Sequence, residues 1–103
     1  MKVGHHMYSN RTKEGKNNIC GERIKKFRKS LPQKTSQQKL AEMLCLLGLD
    51  VDKNVIQRIE SGERFVTDIE LRYIAEALNV TFADLLDDED DVIEIAEEET
   101  EES

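Results

Sequence analysis

Between residues 51 and 85 the sequence repeats one device three times: a valine, then a Thr or Asp, then an aliphatic residue four positions beyond it. The instances are Val51–Asp52–Ile56, Val66–Thr67–Leu71 and Val80–Thr81–Leu85. The Thr or Asp oxygen can accept from the free N–H groups of a first helical turn while the two apolar side chains close over it, the hydrophobic staple. Glu70 and Asp84 stand three residues after Thr67 and Thr81. From there a carboxylate can return a bond to the cap's own N–H and complete a capping box. A chain that starts helices this often makes short ones. A fourth start has Thr35 or Ser36 as its cap; Thr35 with Gln38 makes the better box, and the sequence leaves both open.

Apolar spacing fills in the elements between these starts. A first helix is expected from about Cys20 or Gly21 to Ser30, with Ile24 and Phe27 inward and Leu31-Pro32 ending it. A second runs from about Ser36 to Leu47, with Leu40, Ala41, Leu44 and Leu47 on one face and Gly48 as its C-terminal cap. The third, Lys53 to Ser61, turns Ile56 and Ile59 to the core. The fourth, Asp68 to Asn79, uses Leu71, Ile74, Ala75 and Leu78, and a short fifth covers about Phe82 to Leu86. Only Val92-Ile93-Glu94-Ile95 alternates at all like a strand. The expected fold is all-α, with five short helices and short joints.

At 103 residues the chain offers one domain. Residues 1–18 lack a periodic apolar pattern and are read as a flexible N-terminal arm. Residues 87–103 hold eleven acids and no base, and are read as an acidic, disordered tail. The domain is therefore placed at 19–86. The formal charge of −7 conceals an asymmetry: residues 1–86 carry 15 bases and 11 acids, a net of +4, and the tail contributes −11. Arg23, Lys25, Lys26, Arg28, Lys29 and Lys34 face a single acid, Glu22, within 20–34. An acidic isoelectric point is thus no argument against a polyanionic partner for the folded part.

Several function classes are excluded by what is missing. Cys20 and Cys45 form no CxxC motif, accompany no secretory signal and are read as reduced thiols of a cytoplasmic protein. No apolar run approaches the roughly 18 residues of a membrane span. His5-His6 alone supplies too few ligands for a metal, and no cofactor-binding pattern is present. With no nucleophile, acid–base pair or phosphate loop, the chain is not read as an enzyme.

The third helix carries the functional signal. If Asp52 caps it, Lys53 and Asn54 fill its first turn and Gln57 and Arg58 its second, on the surface opposite Ile56 and Ile59. An α-helix fits the major groove, where Asn and Gln suit adenine and Arg and Lys suit guanine. A merely solvated face would show the same spacing. Three companions favour DNA: Ser36-Gln37 at the start of the preceding helix, able to donate to a phosphate; Arg64 in the loop after Gly62, suited to a backbone contact; and the basic first helix.

These stretches also resemble a known family. "TSQQKLAEML" followed by "NVIQRIESGERFVTDIELRYIAEALNVTFADLL" is similar to the helix-turn-helix domain of Cro and the phage repressors, the XRE-like family, over about residues 19–86. The resemblance is most specific at Ile56 to Gly62, Gln37 to Ala41 and Ala75 to Val80. It implies a compact five-helix, lambda-repressor-like DNA-binding domain whose helix-turn-helix is formed by helices 2 and 3. By the same resemblance the chain binds a double-stranded DNA operator as a homodimer and regulates transcription, as a repressor. Lys53, Asn54, Gln57 and Arg58 match base-reading positions, Gln37 matches a phosphate-anchoring one, and Arg64 falls in the loop that follows the backbone; Ser36, beside Gln37, is a backbone-contacting candidate by its place at the helix start. Arg28 matches an arginine that pairs with a helix 3 glutamate, here Glu60. Two departures stand out: the joint between helices 2 and 3 is about five residues longer than the usual turn, with Leu49 and Val51 expected beneath it, and position 55 is valine.

The tail motivates a reading of another class. Val92, Ile93 and Ile95 interrupt its acidic run, a pattern able to fold onto a protein partner. The chain would then be a protein-interaction module, such as an antitoxin or accessory regulator acting through the tail. Alternatively the tail competes with DNA for the basic domain or serves solubility alone.

Overall fold

The computed structural model describes residues 11–87. The possible strand at 92–95, the His5-His6 pair and all of the tail but Asp87 lie outside them. Five helices follow in order: α1 (Gly21–Lys29), α2 (Gln37–Leu47), α3 (Lys53–Glu60), α4 (Asp68–Leu78) and α5 (Phe82–Leu86). No strand occurs among the described residues, and no described helix is long and apolar enough to cross a membrane.

Each helix from α2 onward begins where side-chain chemistry starts it. Asp52 accepts from Val55 N at 3.0 Å, and the Thr67–Glu70 and Thr81–Asp84 pairs each form both bonds of a capping box. Of the two candidates before α2, Ser36 is the cap, accepting from Lys39 N at 3.0 Å. Thr35 is buried instead, because its carbonyl accepts from Arg28 Nη1 at 2.9 Å and its hydroxyl donates to the Gln33 carbonyl. That use of its backbone holds Thr35 outside the helix.

Three helix ends share a second device. Gly48, Gly62 and Asn79 take left-handed backbone angles, with φ of 114°, 86° and 60°. The residue after each donates back to the carbonyl five positions earlier: Leu49 to Leu44, Glu63 to Arg58, Val80 to Ala75. This is the Schellman closure, which satisfies carbonyls that a helix end leaves open. It also turns the chain sharply enough for α3 and α4 each to pack against α2.

The core is a single cluster: Ile24, Leu40, Ala41, Leu44, Ile56, Ile59, Leu71, Ile74, Ala75, Leu78 and Leu85, with Cys20 at its edge. Leu49 and Val51, from the long joint between α2 and α3, pack against it, as do Phe27 and Tyr73. Leu47, expected inward, stays 38% exposed because it is the last residue before the chain turns at Gly48. Burial raises the pKa of the Cys20 thiol, through desolvation of its charged form. Cys45 is exposed, and both cysteines are free.

Part of the stretch read as a flexible arm is tied down. Residues 12–16 close a turn, with Thr12 N donating to Lys16 O at 2.7 Å, and Asn17 N donates to Gly62 O at 2.8 Å. Composition could not reveal this: the segment buries polar amides against backbone carbonyls, not an apolar stripe.

Candidate nucleic-acid interface

The third helix is held by two side chains and a cap. Ile56 and Ile59 are 1% and 2% exposed, which fixes α3's rotation about its axis. Lys53, Asn54, Gln57 and Arg58 consequently stand on its outer side, and all four are exposed. Arg58 forms an ion pair with Glu63, at 3.7 Å, with both side chains more than half exposed. Such a contact is worth little in water and is easily exchanged for a stronger acceptor. Val55, beside Asn54, is half-buried and packs against the core.

Behind this outward face lies a polar junction in the interior. Arg28 Nε and Nη2 donate to Glu60 Oε2 and Oε1 at 2.7 and 2.9 Å, a bidentate pair of two buried residues. The third guanidinium nitrogen takes the Thr35 carbonyl, so the arginine ties α1 to α3 and to the entry of α2. The Arg28 pKa is raised further, mainly through the hydrogen bonds to Glu60. Gln37 Nε2 also donates to Glu60 Oε1, at 3.0 Å.

The backbone-contacting candidates therefore differ in availability. Ser36 is exposed; its oxygen accepts the Lys39 N–H, and its own hydroxyl hydrogen can still point outward. The N–H groups of Gln37 and Gln38 lie in the first turn, where an α-helix offers donors to an anion. The Gln37 side chain is directed at Glu60, so an anion at this end would meet backbone N–H groups rather than the Gln37 amide. Arg64 does not stand free over its loop either. Its Nη1 and Nη2 donate to Glu70 Oε1 and Oε2 at 3.0 and 2.8 Å, and Nη1 also meets the Phe65 carbonyl. The Arg64–Glu70 pair fastens the loop after α3 to the capping box of α4.

This second pair has a pH signature. Hydrogen bonds from Arg64 hold the Glu70 carboxyl below the usual carboxylate range, against the opposing effect of burial. A carboxyl with a lowered folded-state pKa adds stability above its unfolded pKa, and that stability is lost as pH falls through the folded value. The melting temperature should therefore decline below about pH 5. Glu70→Gln should flatten that decline, read from melts at pH 7, 5 and 3; an identical pH profile in the variant would refute the assignment.

Sequence reasoning missed Asn17 and Asn18. Asn18 Nδ2 donates to the carbonyls of Ile59 and Arg64, and its Oδ1 accepts from Gly21 N at 2.8 Å. An Asn three residues before the first helical N–H is a capping signal. A helix start at Cys20 or Gly21 leaves Asn18 outside the domain, at the last position of the arm.

Three large apolar side chains are exposed beyond α3: Phe65 at 53% in the loop, Ile69 at 65% on α4 and Phe82 at 50% on α5. Among the described residues no group of three His, Cys, Asp or Glu side chains could hold a metal ion.

A helix-turn-helix family model matches residues 24–85, more than half of the chain. No curated protein and no solved structure shows a significant match to it. The matched span runs from Ile24 in α1 to Leu85 in α5, so it takes in the junction, the outward face of α3 and the core beneath them. The chain belongs to the XRE/Cro-type helix-turn-helix family, whose domains mark DNA-binding transcription regulators, and it has the all-α architecture of a lambda-repressor-like fold.

Proposed function

We propose that the chain is a sequence-specific repressor that reads the major groove of an operator with α3 and occludes the DNA it occupies. The observation that supports this most is the pairing of a rigid inner face with a free outer one. Ile56 and Ile59 are sealed in the core while Lys53, Asn54, Gln57 and Arg58 all face solvent. Asn54 and Arg58 are the base readers of first choice, because each can form a two-point bond with one base, adenine or guanine. Ser36 and the first-turn N–H groups of α2 hold a phosphate on one side of the groove. Arg64 acts by holding the loop on the other. A near-palindromic site bound by two copies suits a domain this small, since one α3 reads only a few base pairs. Phe82 is the exposed candidate for the contact between copies; Tyr73 packs against the core and is a poorer one.

The test is selection of duplexes from a randomised pool by the full chain, followed by titration with the enriched sequence. Asn54→Ala or Arg58→Ala should weaken that binding by about 1–3 kcal/mol and relax preference at one position of the site. Neutralising about four to six phosphates should give a log K against log salt slope of about −4 to −5. Tight duplex binding that ignores both substitutions would defeat the recognition-helix assignment. An operator-linked reporter whose output rises when the chain is expressed would defeat repression.

A further inference from the structure

The C-terminal end of α3 and the loop beyond it expose a row of carbonyls, and two consecutive asparagines occupy them. Asn18 Nδ2 donates to Ile59 O at 3.0 Å and to Arg64 O at 2.7 Å. Asn17 donates from its backbone to Gly62 O at 2.8 Å and from its side chain to Glu63 O at 2.8 Å. Asn18 is fully engaged, because its oxygen also accepts from Gly21 N, the first N–H of α1. One side chain thus joins the start of α1, the last turn of α3 and the loop after it. The turn at residues 12–16 supports the grip: the side chain of Lys16 lies against Gly62.

We infer that the Asn17–Asn18 pair positions α3 for reading bases. This rests on the DNA-reading role proposed for that helix. At eight residues α3 is only about 12 Å long. Its start is fixed by Asp52, its middle by Ile56, and its end by Ile59 and Glu60 together with the bond from Asn18. Lys53 and Asn54 stand in its first turn, so loosening of its last turn tilts the rod about Ile56 and swings those two side chains the opposite way. Base-edge hydrogen bonds tolerate shifts of only a few tenths of an ångström. Phosphate contacts made by long side chains and by first-turn N–H groups fix register without carrying sequence and adapt more easily. Loss of the grip therefore lowers discrimination between sequences more than it lowers attraction to DNA.

Asn18→Ser in the full chain separates this role from helix capping. A serine oxygen can still accept from Gly21 N, while both amide donors to α3 and its loop disappear. The probes are a duplex enriched from a randomised pool by the unsubstituted chain and an unrelated mixed-sequence duplex. Both are titrated at a temperature where circular dichroism shows variant and parent folded. The enriched duplex should bind about tenfold or more weakly and the mixed duplex within about twofold, so the ratio of the two falls. A purely structural role would lower the melting temperature and leave that ratio unchanged, and an unchanged ratio overturns the inference. Should Asn18→Ser fail to fold, Asn17→Ala serves. It removes only the bond to Glu63 O, and it also deletes Asn17 Oδ1, which is buried without a partner. The ratio should then fall by about threefold, and no change is again fatal. A parent chain that enriches no duplex removes the DNA reading, and this inference with it. Enrichment by the parent with unchanged ratios in the variants removes the inference alone.

Discussion

Glu60→Ala is expected to remove a third or more of the domain's stability, about 3–5 kcal/mol. The substitution deletes the acceptor for two guanidinium nitrogens and for the Gln37 amide, and leaves Arg28, 7% exposed, with only the Thr35 carbonyl. Removing one partner of a buried ion pair costs about 3–5 kcal/mol, because the remaining charge has neither water nor a counterion. A folded unit of this size has only about 4–10 kcal/mol to lose, and the corresponding drop in melting temperature exceeds about 15 °C. A loss of a few degrees would mean that Arg28 reaches solvent once Glu60 is gone.

Removing both charges should behave differently. In Arg28→Met combined with Glu60→Leu no charge is stranded, and replacing a whole buried pair by apolar side chains is commonly neutral or stabilising by about 1–4 kcal/mol. The double variant should therefore melt well above Glu60→Ala. If it folds as stably as the parent, the pair serves less to hold the domain together than to fix how α1, the entry of α2 and the end of α3 meet. The readout for that is discrimination between duplexes, which should fall in the double variant even where stability does not.

The sequence was legible wherever a single local rule decides the outcome. Caps, staples and left-handed helix ends are decided within six or seven residues, and Asp52, Thr67, Thr81 and Gly48 occupy the places that those rules assign. The two faces of α3 are readable for the same reason: Ile56 and Ile59, three apart, leave only one side for long polar residues. Legibility ended where the deciding contact lies far along the chain. Local rules leave Thr35 and Ser36 both open, with the better box at Thr35, and what decides for Ser36 is Arg28, which claims the Thr35 carbonyl from another helix. Leu47 fits the apolar stripe of α2 but falls where the chain turns away. Asn17 and Asn18 look like loop residues in composition, and their partners lie 41 to 46 positions further on. Arg28 and Glu60 could be matched only through resemblance to a family, since nothing local joins two charges 32 residues apart.

Gly21→Ala sets two rules against each other, and the sign of the result decides between them. By helix propensity alone, alanine at the first position of α1 should be neutral or stabilising by up to about 1 kcal/mol. The fold says otherwise. A Cβ at this buried position would overlap the Ile59 carbonyl and stand 2.9 Å from the Glu60 carbonyl. Both obstacles are backbone, so no change of rotamer relieves them, and α1 must back away from the end of α3. Backing away also strains what joins those helices: the Gly21–Asn18 bond at 2.8 Å and, two turns along α1, the Arg28–Glu60 pair at 2.7 and 2.9 Å. Overpacking of this kind costs about 1–3 kcal/mol on its own, and the coupled bonds place the expected loss at the upper end, measurable as a lower urea midpoint. The same displacement moves the last turn of α3, so the folded fraction should also discriminate less well between duplexes. A Gly21→Ala variant as stable as its parent would show that α1 and α3 are not held at the distance on which the reading surface depends.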